Sequence, residues 1–199
     1  MREWGNAMDK KEVIAFFDTL AGSWDDMQVR NEAVISRILD LGGICQGADV
    51  LDIACGTGVL FPDYLGRNVK SVTGIDISSE MVNIAREKFP QVEVICDDAQ
   101  SYDFAKKFDA VMIYNAFPHF GEPDKLFANL YVNLKENGRL TVAHGISEKK
   151  LAECHSGKAK NVSLPLPSKE KLADMMSELF SVDVMISDEE KYIVSGVKR

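Results

Sequence analysis

A short segment, 52–58, carries the residue types most suggestive of ligand chemistry. Its sequence is Asp-Ile-Ala-Cys-Gly-Thr-Gly, and it follows an apolar run at 48–51. Gly56 and Gly58 lack a Cβ, so their backbones can adopt angles closed to other residues and can approach a ligand closely. If a helix begins after this turn, its unpaired N–H groups face the ligand. The order of strand, glycine turn and helix therefore predicts a backbone cradle for a nucleotide-like ligand.

Asp76 is a second candidate ligand-binding residue, because it ends the next apolar strand, at 72–75. A carboxylate at this spacing from a glycine turn can accept hydrogen bonds from both hydroxyls of a ribose. Alternatively, Asp76 could cap the helix that follows, a duty that Ser78 and Ser79 could share. The neighbouring glycine turn favours the ribose role.

The residues around the turn disfavour a dinucleotide. A pyrophosphate-binding turn would carry a further glycine where this chain has Phe61. Asp52, at the end of the first strand, would repel a phosphate and attract an ammonium group. Tyr131 and Lys135 have the spacing of an oxidoreductase Tyr-x-x-x-Lys pair, but we expect them on an outer helix, away from the crevice. The predicted ligand is therefore an adenosine with a cationic or zwitterionic tail.

Four motifs, taken in order, resemble those of the class I S-adenosylmethionine-dependent methyltransferases. They are segment 52–58, Asp76, the Cys-Asp-Asp-Ala stretch at 96–99 and the Phe-Asp-Ala-Val stretch at 108–111. The resemblance extends over residues 48–145 and is to the small-molecule type, near the ubiquinone/menaquinone-biosynthesis methyltransferase group. The stretch 16–25 is similar to the entry segment of that group.

The resemblance implies that the cofactor is S-adenosyl-L-methionine, and it assigns roles at the adenosine end. Asp76 would hold the ribose, and Ile77 would pack on the adenine. Asp98 would accept a hydrogen bond from the adenine amino group, with the adjacent Asp97 as the alternative. Ala99 would supply a backbone contact.

The remaining cofactor-binding predictions concern the methionine end. Asp52 is expected to orient the ammonium group of the cofactor, directly or through water. By the resemblance, Ala54, Gly56 and Gly58 would line the methionine part. Asn115, after the fourth strand, is predicted to border the same crevice.

Apolar strand and helix patterns alternate along the chain, which is typical of parallel strands joined by crossover helices. With the resemblance, they predict an α/β fold: a Rossmann-like doubly wound seven-stranded sheet, mostly parallel with an antiparallel C-terminal strand. The predicted strands lie at 49–54, 70–76, 92–96, 109–114, 139–144, 182–186 and 192–197. The predicted helices lie at 11–20, 28–41, from about 58, at 79–88, 123–135 and 169–179.

The length of 199 residues suits one domain with a substantial core. We expect a single methyltransferase domain over 1–199, with an N-terminal helical lid at 1–45, a cofactor-binding core at 46–145, and an insert with a C-terminal hairpin at 146–199. The insert carries His155 and Ser156. We expect it to contribute to the choice of acceptor.

The composition and net charge of the chain limit the kinds of partner that we expect it to bind. The formal net charge of −8 argues against a nucleic-acid surface, which needs clustered Lys and Arg. No apolar run has the length of a signal-peptide core or a membrane span, so we expect no membrane span and a cytoplasmic location. We expect a monomer or homodimer. The cysteines fit neither zinc pairs nor a disulfide scaffold and are predicted to be buried reduced thiols: Cys45, Cys55, Cys96 and Cys154.

Methyl transfer from a sulfonium needs two aligned partners and exclusion of water, and it needs a base only if the acceptor carries a proton. His119 is the first candidate base, in a loop that Pro118 stiffens after the fourth strand. Packing beside the cofactor is its alternative role. Phe117 and Phe120 flank it and could wall an acceptor pocket. His144, at the end of the fifth strand, is the second candidate base.

Phe17 and Trp24 could form a lid over the cofactor, because a helix before the first strand can fold across the mouth of a crevice. We expect no metal, since the histidines and Cys154 lack a recognisable ligand spacing. The predicted partner is a small-molecule acceptor. A non-catalytic S-adenosylmethionine-binding protein with a regulatory or interaction role is the alternative, and turnover distinguishes the two.

Overall fold

The structure, a computed structural model, describes residues 9–155 and 161–199, and of Ala152, Cys154 and His155 it describes the backbone alone. A seven-stranded sheet forms its centre. The strands are β1 (Asp49–Ile53), β2 (Ser71–Asp76), β3 (Glu93–Cys96), β4 (Phe108–Tyr114), β5 (Leu134–His144), β6 (Phe180–Ser187) and β7 (Tyr192–Lys198).

Helices precede, connect and follow these strands. They are α1 (Lys10–Leu20), α2 (Trp24–Met27), α3 (Glu32–Leu41), α4 (Phe61–Gly66), α5 (Ser79–Lys88), α6 (Pro123–Asn133), α7 (Glu148–His155) and α8 (Lys169–Met176). Single 3₁₀ turns occur at Ala21–Ser23 and Phe117–His119.

The strand order is β3-β2-β1-β4-β5-β7-β6. The pairs from β3 to β5 are parallel, and β7 runs antiparallel to both β5 and β6. The predicted α/β doubly wound sheet with an antiparallel C-terminal strand is confirmed. Its order reverses between β1 and β4, and open α/β sheets bind ligands at the carboxyl ends of the strands at such a point.

Both faces of the sheet are covered, because successive strand residues point to opposite sides. In β1, Val50 packs into one apolar cluster and Leu51 into the other. The Val50 face carries α3, α4 and α5, through buried side chains that include Ile38 and Phe61. The Leu51 face carries α6 and α8, with Leu130 among the buried side chains. Burial on both sides explains the nearly continuous apolar runs of the parallel strands.

The N-terminal part differs from the prediction. The helix expected at 28–41 begins at Glu32, because the side chain of Asn31 caps it by accepting from the backbone N–H of Val34, at 3.2 Å. Val29, within the predicted range, lies outside the helix and is 93% exposed. The short helical stretch from Ala21–Ser23 into Trp24–Met27 was not predicted.

Element ends differ elsewhere by a few residues. The helix predicted from about 58 begins at Phe61, because Gly58 has a φ of +83° that no α-helix accommodates. Strand β5 begins at Leu134 rather than 139, and α8 ends at Met176 rather than 179.

The cysteine prediction is partly wrong. Cys45, Cys55 and Cys96 are free thiols, but only Cys55 is buried, whereas Cys45 and Cys96 are exposed. The side chain of Cys154 lies outside the described residues. Within the described ranges, no helix has the length and apolar character to cross a membrane.

Candidate functional site

A cavity of about 710 Å³ opens at the carboxyl ends of β1, β2 and β4, where the strand order reverses. This volume lies in the usual range of small-molecule sites, about 300–1,000 Å³. Most of the residues predicted to bind cofactor or acceptor line it: Phe17, Trp24, Asp52, Ala54, Gly56, Asp76, Ile77, Asp98, Ala99, Asn115, His119 and Phe120.

The turn after β1 presents its backbone to the cavity. Ala54 and Gly56 have left-handed φ values of 53° and 55°. The N–H of Gly56 donates to Oδ2 of Asp76 at 2.8 Å, which ties the turn to the end of β2. A Cβ on Gly56 would lie 3.5 Å from Nε1 of Trp24, so this indole covers the turn from the N-terminal side.

Asp52 and Asp76 place two buried carboxylates at the ends of adjacent strands. Burial raises the pKa of Asp52 well above its usual range, against the opposing effect of the neighbouring Tyr64 hydroxyl, and the charge of Asp76 raises it further. Burial also raises the pKa of Asp76, although the backbone N–H groups of Ser78 and Gly56 donate to it. Within residues 9–155 and 161–199, no cationic side chain pairs with either carboxylate. The site is therefore suited to a cationic ligand.

The helix-capping role considered for Asp76 belongs to Ser78. The hydroxyl of Ser78 is the N-cap of α5 and accepts from the N–H of Met81 at 3.2 Å. Asp76 accepts from the N–H of Ser78 at 2.9 Å, which fixes its carboxylate at the cavity wall. Each oxygen of Asp76 has one of its two acceptor positions used by the backbone.

Asp98 stands at the opposite end of the cavity from the Asp52 side chain along the sheet, after β3. Its Oδ1 accepts from the N–H of Gln100 at 2.9 Å, and its Oδ2 pairs with Nζ of Lys10 at 2.6 Å. Burial acts to raise its pKa, but the hydrogen bonds from Lys10 and Gln100 hold the pKa below its usual range. Asp97 is exposed and bonds the N–H of Asp98, so Asp98 is the more enclosed of the two.

The segment from α1 to α2, predicted to form a lid, borders the cavity. Phe17 and Trp24 make an edge-to-face contact with ring centres 5.7 Å apart, and both line the cavity. Asp18 accepts from the hydroxyl of Ser78 at 2.6 Å, and Asp25 accepts from the hydroxyl of Thr57 at 2.6 Å. This segment is thus hydrogen-bonded to the N-terminal end of α5 and to the glycine turn.

His119, the first candidate base, lines the same cavity. Its ring meets Phe17 edge to face at a centroid distance of 4.9 Å, and its Nδ1 lies 2.7 Å from the carbonyl oxygen of Val162. The hydroxyl of Ser163 lies 3.3 Å from the same nitrogen. His119 is therefore held between Phe17 of α1 and segment 162–163.

Three of the predicted residues are absent from the cavity lining. Gly58 lies below the turn, and a Cβ there would stand 2.7 Å from Phe61, so packing and its φ of +83° account for this glycine. Phe117 is fully buried and stacks on Phe127 in the core. His144 is also fully buried, beside the ring of Tyr192.

Asn115 has a structural contact in addition to its place at the cavity. Its φ is 54°, and its Oδ1 accepts from the N–H of Gly145 at 2.9 Å. This bond joins the ends of β4 and β5. The pair considered for an oxidoreductase lies elsewhere: Tyr131 donates to the Arg199 carbonyl, and Lys135 pairs with Asp49 at the start of β1.

Sequence analysis missed several lining residues, among them Lys10, Gln28, Met81, Gln100 and Tyr114. Tyr114 ends β4, and Gln100 follows the acidic pair, so position at a strand end was an available signal for both. Lys10 and Gln28 reach the cavity only through the fold of the N-terminal segment, which no motif marks. The side chains of His155 and Ser156 lie outside the described residues.

Comparison with known proteins agrees with this geometry. A family described as a methyltransferase domain matches residues 50–138. Demethylmenaquinone methyltransferase of Renibacterium salmoninarum is 31% identical over 148 residues, which cover 69% of this chain and 61% of that protein. The ubiquinone/menaquinone biosynthesis C-methyltransferase UbiE of Campylobacter jejuni is 29% identical over 182 residues, covering 81% and 75%. The chain thus spans less than two thirds of the Renibacterium relative.

Among solved structures, the DhpI–SAH complex superposes with a TM-score of 0.76. Its sequence identity is 17%, and the match covers 93% of this chain and 94% of that one. At this identity the likeness concerns the fold. The sequence similarity to the two methyltransferases named above was found separately from this likeness of fold.

Proposed function

We propose that the chain is a class I S-adenosylmethionine-dependent methyltransferase, a proposal that its similarity to methyltransferases supports, and that it transfers a methyl group to a small-molecule acceptor held in the cavity between the sheet and the N-terminal segment. The observation that carries the proposal is the pair of buried carboxylates, Asp52 and Asp76, around a left-handed glycine turn. Such a pair attracts a cation and binds ribose hydroxyls, and it repels a phosphate.

The residues of the cavity fit S-adenosyl-L-methionine. The ammonium and sulfonium charges of this cofactor would compensate the carboxylates whose burial raises their pKa values. Each oxygen of Asp76 retains an acceptor position, which is what two ribose hydroxyls require. Left-handed φ values at Ala54 and Gly56 turn backbone toward the cavity, where the methionine part would lie.

We assign the adenine end to Asp98, with Ile77 and Ala99 beside it, because all three line the cavity beyond Asp76. Asp98 already binds Lys10 through Oδ2 and the N–H of Gln100 through Oδ1. An adenine amino group would therefore share or replace the contact with Lys10.

When bound, S-adenosylmethionine supplies an electrophilic methyl group on a sulfonium. The part of the protein is to align the acceptor, exclude water and receive a proton. Nε2 of His119 would accept the proton of an acceptor X–H, and the methyl group that the bound cofactor would supply would replace that proton on X. Phe17 and Trp24 line this space and would help to exclude water from it.

The relatives guide the choice of acceptors for a test. Their names describe methyltransferases of demethylmenaquinone and of ubiquinone or menaquinone biosynthesis. We propose to incubate the full chain with methyl-labelled S-adenosylmethionine and a panel of quinols, phenols, amines and carboxylic acids. Formation of S-adenosylhomocysteine with a labelled product supports the proposal. Binding of the cofactor without turnover on any acceptor would instead favour a regulatory or interaction protein.

We further propose that the chain acts as one domain in the cytoplasm, as a monomer or homodimer without nucleic-acid acceptors. Free thiols at Cys45, Cys55 and Cys96 suit a reducing compartment, and a net charge of −8 disfavours nucleic acid. Cell fractionation, sedimentation and a nucleic-acid binding assay test these points separately.

A further inference from the structure

His119 and the preceding Pro118 make two hydrogen bonds with segment 162–164, in the predicted insert. Nδ1 of His119 lies 2.7 Å from the carbonyl oxygen of Val162, and the N–H of Leu164 donates to the carbonyl oxygen of Pro118 at 2.8 Å. We call this pair of contacts, between 118–119 and 162–164, the His119 clasp. It joins the turn after β4 to a segment more than forty residues later. Val162 is buried and His119 is half-buried, so the clasp is partly shielded from solvent.

The clasp determines which ring nitrogen of His119 carries a proton. A carbonyl oxygen only accepts hydrogen bonds, so Nδ1 must be the donor to Val162. The hydroxyl of Ser163, 3.3 Å from Nδ1, lies at the same edge of the ring. In the neutral side chain, Nε2 is then the nitrogen with the lone pair. Histidine in water favours the opposite form, so the protein has to impose this one.

We propose that segment 162–164 is a positioning element, which holds His119 in the Nδ1–H form so that Nε2 can receive the proton of the acceptor. The Phe17 ring, at 4.9 Å, fixes the plane of the imidazole from the lid side. The catalytic part of this inference rests on the proposed function, whereas the protonated nitrogen rests on the clasp alone. The insert thereby affects chemistry through the orientation of the base as well as through the acceptor.

The first test needs no acceptor. We would label the three histidines with ¹⁵N and record long-range ¹H–¹⁵N spectra of the full chain at about pH 8.5, above the usual pKa of about 6.5, with H119Q for assignment. The expected spectrum shows a protonated Nδ1 and an unprotonated Nε2 for His119. A protonated Nε2 would overturn the inference even if methyl transfer is observed.

The second test separates positioning from folding. L164P removes the N–H that donates to Pro118, whereas L164A keeps that N–H and loses the side chain. We expect L164P to shift His119 toward the Nε2–H form and to lower kcat at least tenfold, with the affinity for S-adenosylmethionine within twofold. L164A should keep the Nδ1–H form and most of kcat. Should L164P lower kcat while His119 stays in the Nδ1–H form, the segment has no positioning role.

Ser163 provides a milder variant if L164P fails to fold. We expect S163A to populate the Nε2–H form partially, and S163T, which keeps a hydroxyl, to restore the spectrum of the unaltered chain. Identical spectra for all three proteins would assign the tautomer to Val162 alone and remove Ser163 from the positioning element. If no acceptor is ever methylated, the proposed function fails while the spectra still decide the clasp.

Discussion

The two halves of the cavity are assembled from different kinds of contact. The half that we propose for the cofactor, called the cofactor half, contains Asp52, Gly56, Asp76 and Asp98 and consists of strand ends and a turn within 52–98, fixed by backbone hydrogen bonds. The half that we propose for the acceptor, called the acceptor half, contains Phe17, Trp24, His119 and Phe120 and brings together the N-terminal segment, the turn after β4 and segment 162–164. Edge-to-face contacts between aromatic rings and the His119 clasp hold the acceptor half together.

This difference follows from what each half has to recognise. A cofactor of fixed shape can be bound by backbone groups and carboxylates whose positions the parallel sheet already determines. An acceptor that varies between relatives is better bound by segments outside the sheet, because loops tolerate change without loss of the core. Changes in the cofactor half should therefore alter affinity for the cofactor, and changes in the acceptor half should alter turnover.

The largest expected effect lies in the acceptor half. H119A should lower kcat by about 10²- to 10⁴-fold, the usual contribution of a general base, and leave the Kd for S-adenosylmethionine nearly unchanged. F120L, in the same wall, serves as the control and should lose far less. Steady-state kinetics and calorimetry measure the two quantities. Equal losses in kcat and cofactor affinity would mean that His119 only packs.

The second-largest expected change is a loss of cofactor affinity, caused by substitution of Asp76 in the cofactor half. D76A should weaken S-adenosylmethionine binding by about 1.5–3 kcal/mol through loss of charge-assisted hydrogen bonds, or about 10- to 150-fold in Kd. The change also removes the acceptor for Gly56 and Ser78, so thermal unfolding should be recorded beside calorimetry. D76N keeps one acceptor oxygen and should lie between the two proteins. An unaltered Kd in D76A removes the ribose assignment.

Asp52 should lower the stability of the folded chain while it favours binding of the cofactor. Its raised pKa means that the folded state holds a proton more tightly than the unfolded chain, so the free energy of unfolding falls as pH rises from the usual Asp range through the raised pKa. D52N should therefore raise Tm at neutral pH by a few degrees, about 2–4 °C per kcal/mol.

The same substitution should weaken binding of the cationic cofactor. In the unaltered chain, protons compete with the cofactor for the carboxylates, so affinity should fall as pH drops through the raised pKa values, by up to about tenfold per pH unit for each proton. D52N should flatten that dependence. A lower Tm together with unchanged affinity would contradict the electrostatic account of the site.

The two glycines of the turn separate packing from binding. G58A should lower stability by about 2 kcal/mol, because its φ of +83° is unfavourable and its Cβ would overlap Phe61 and Phe89. G56A should cost about 1 kcal/mol of stability. Only G56A places a methyl group in the cavity, so only G56A should weaken cofactor binding severalfold. Thermal unfolding measures the stability of both variants, and calorimetry measures their affinity for the cofactor. Weaker cofactor binding in G58A but not in G56A would instead assign Gly58 to the binding site.

The smallest expected change in cofactor affinity concerns Lys10, at the edge of the cavity. K10M removes the ion pair with Asp98, which is partly exposed, so cofactor affinity should change by no more than about 1 kcal/mol. If the adenine amino group replaces Lys10, the affinity should increase. K106M, which loses a partly exposed pair with Glu93 away from the cavity lining, is the matched control. A tenfold loss in K10M alone would make Lys10 a direct cofactor contact.

The residues of the cofactor half could be predicted largely from the sequence, because most of them lie in one short stretch of strand ends and turns. The strand–turn–helix order placed Asp52, Gly56 and Asp76 in the cavity because periodicity and turn residues are local signals. Gly58 was assigned to the ligand because positive φ serves packing and binding alike, and a sequence does not distinguish the two. The predicted start of α3, at residue 28, is too early because the apolar periodicity continues on the N-terminal side of the cap at Asn31.

The acceptor half was predicted less completely for a physical reason. Phe17, Trp24 and His119 were chosen from their residue types, but their contacts depend on how segments distant in sequence fold together. His144 and Phe117 had the same types and positions near strand ends, and they proved to be buried outside the cavity lining. The bond from His119 to Val162 involves a backbone carbonyl, which no residue type could indicate.

Calorimetric titration of the full chain with S-adenosylmethionine at neutral pH tests the central claim most directly. The account predicts one site per chain and a Kd that rises about 10- to 150-fold in D76A. Absence of binding, or tighter binding of a nicotinamide dinucleotide than of S-adenosylmethionine, would contradict it.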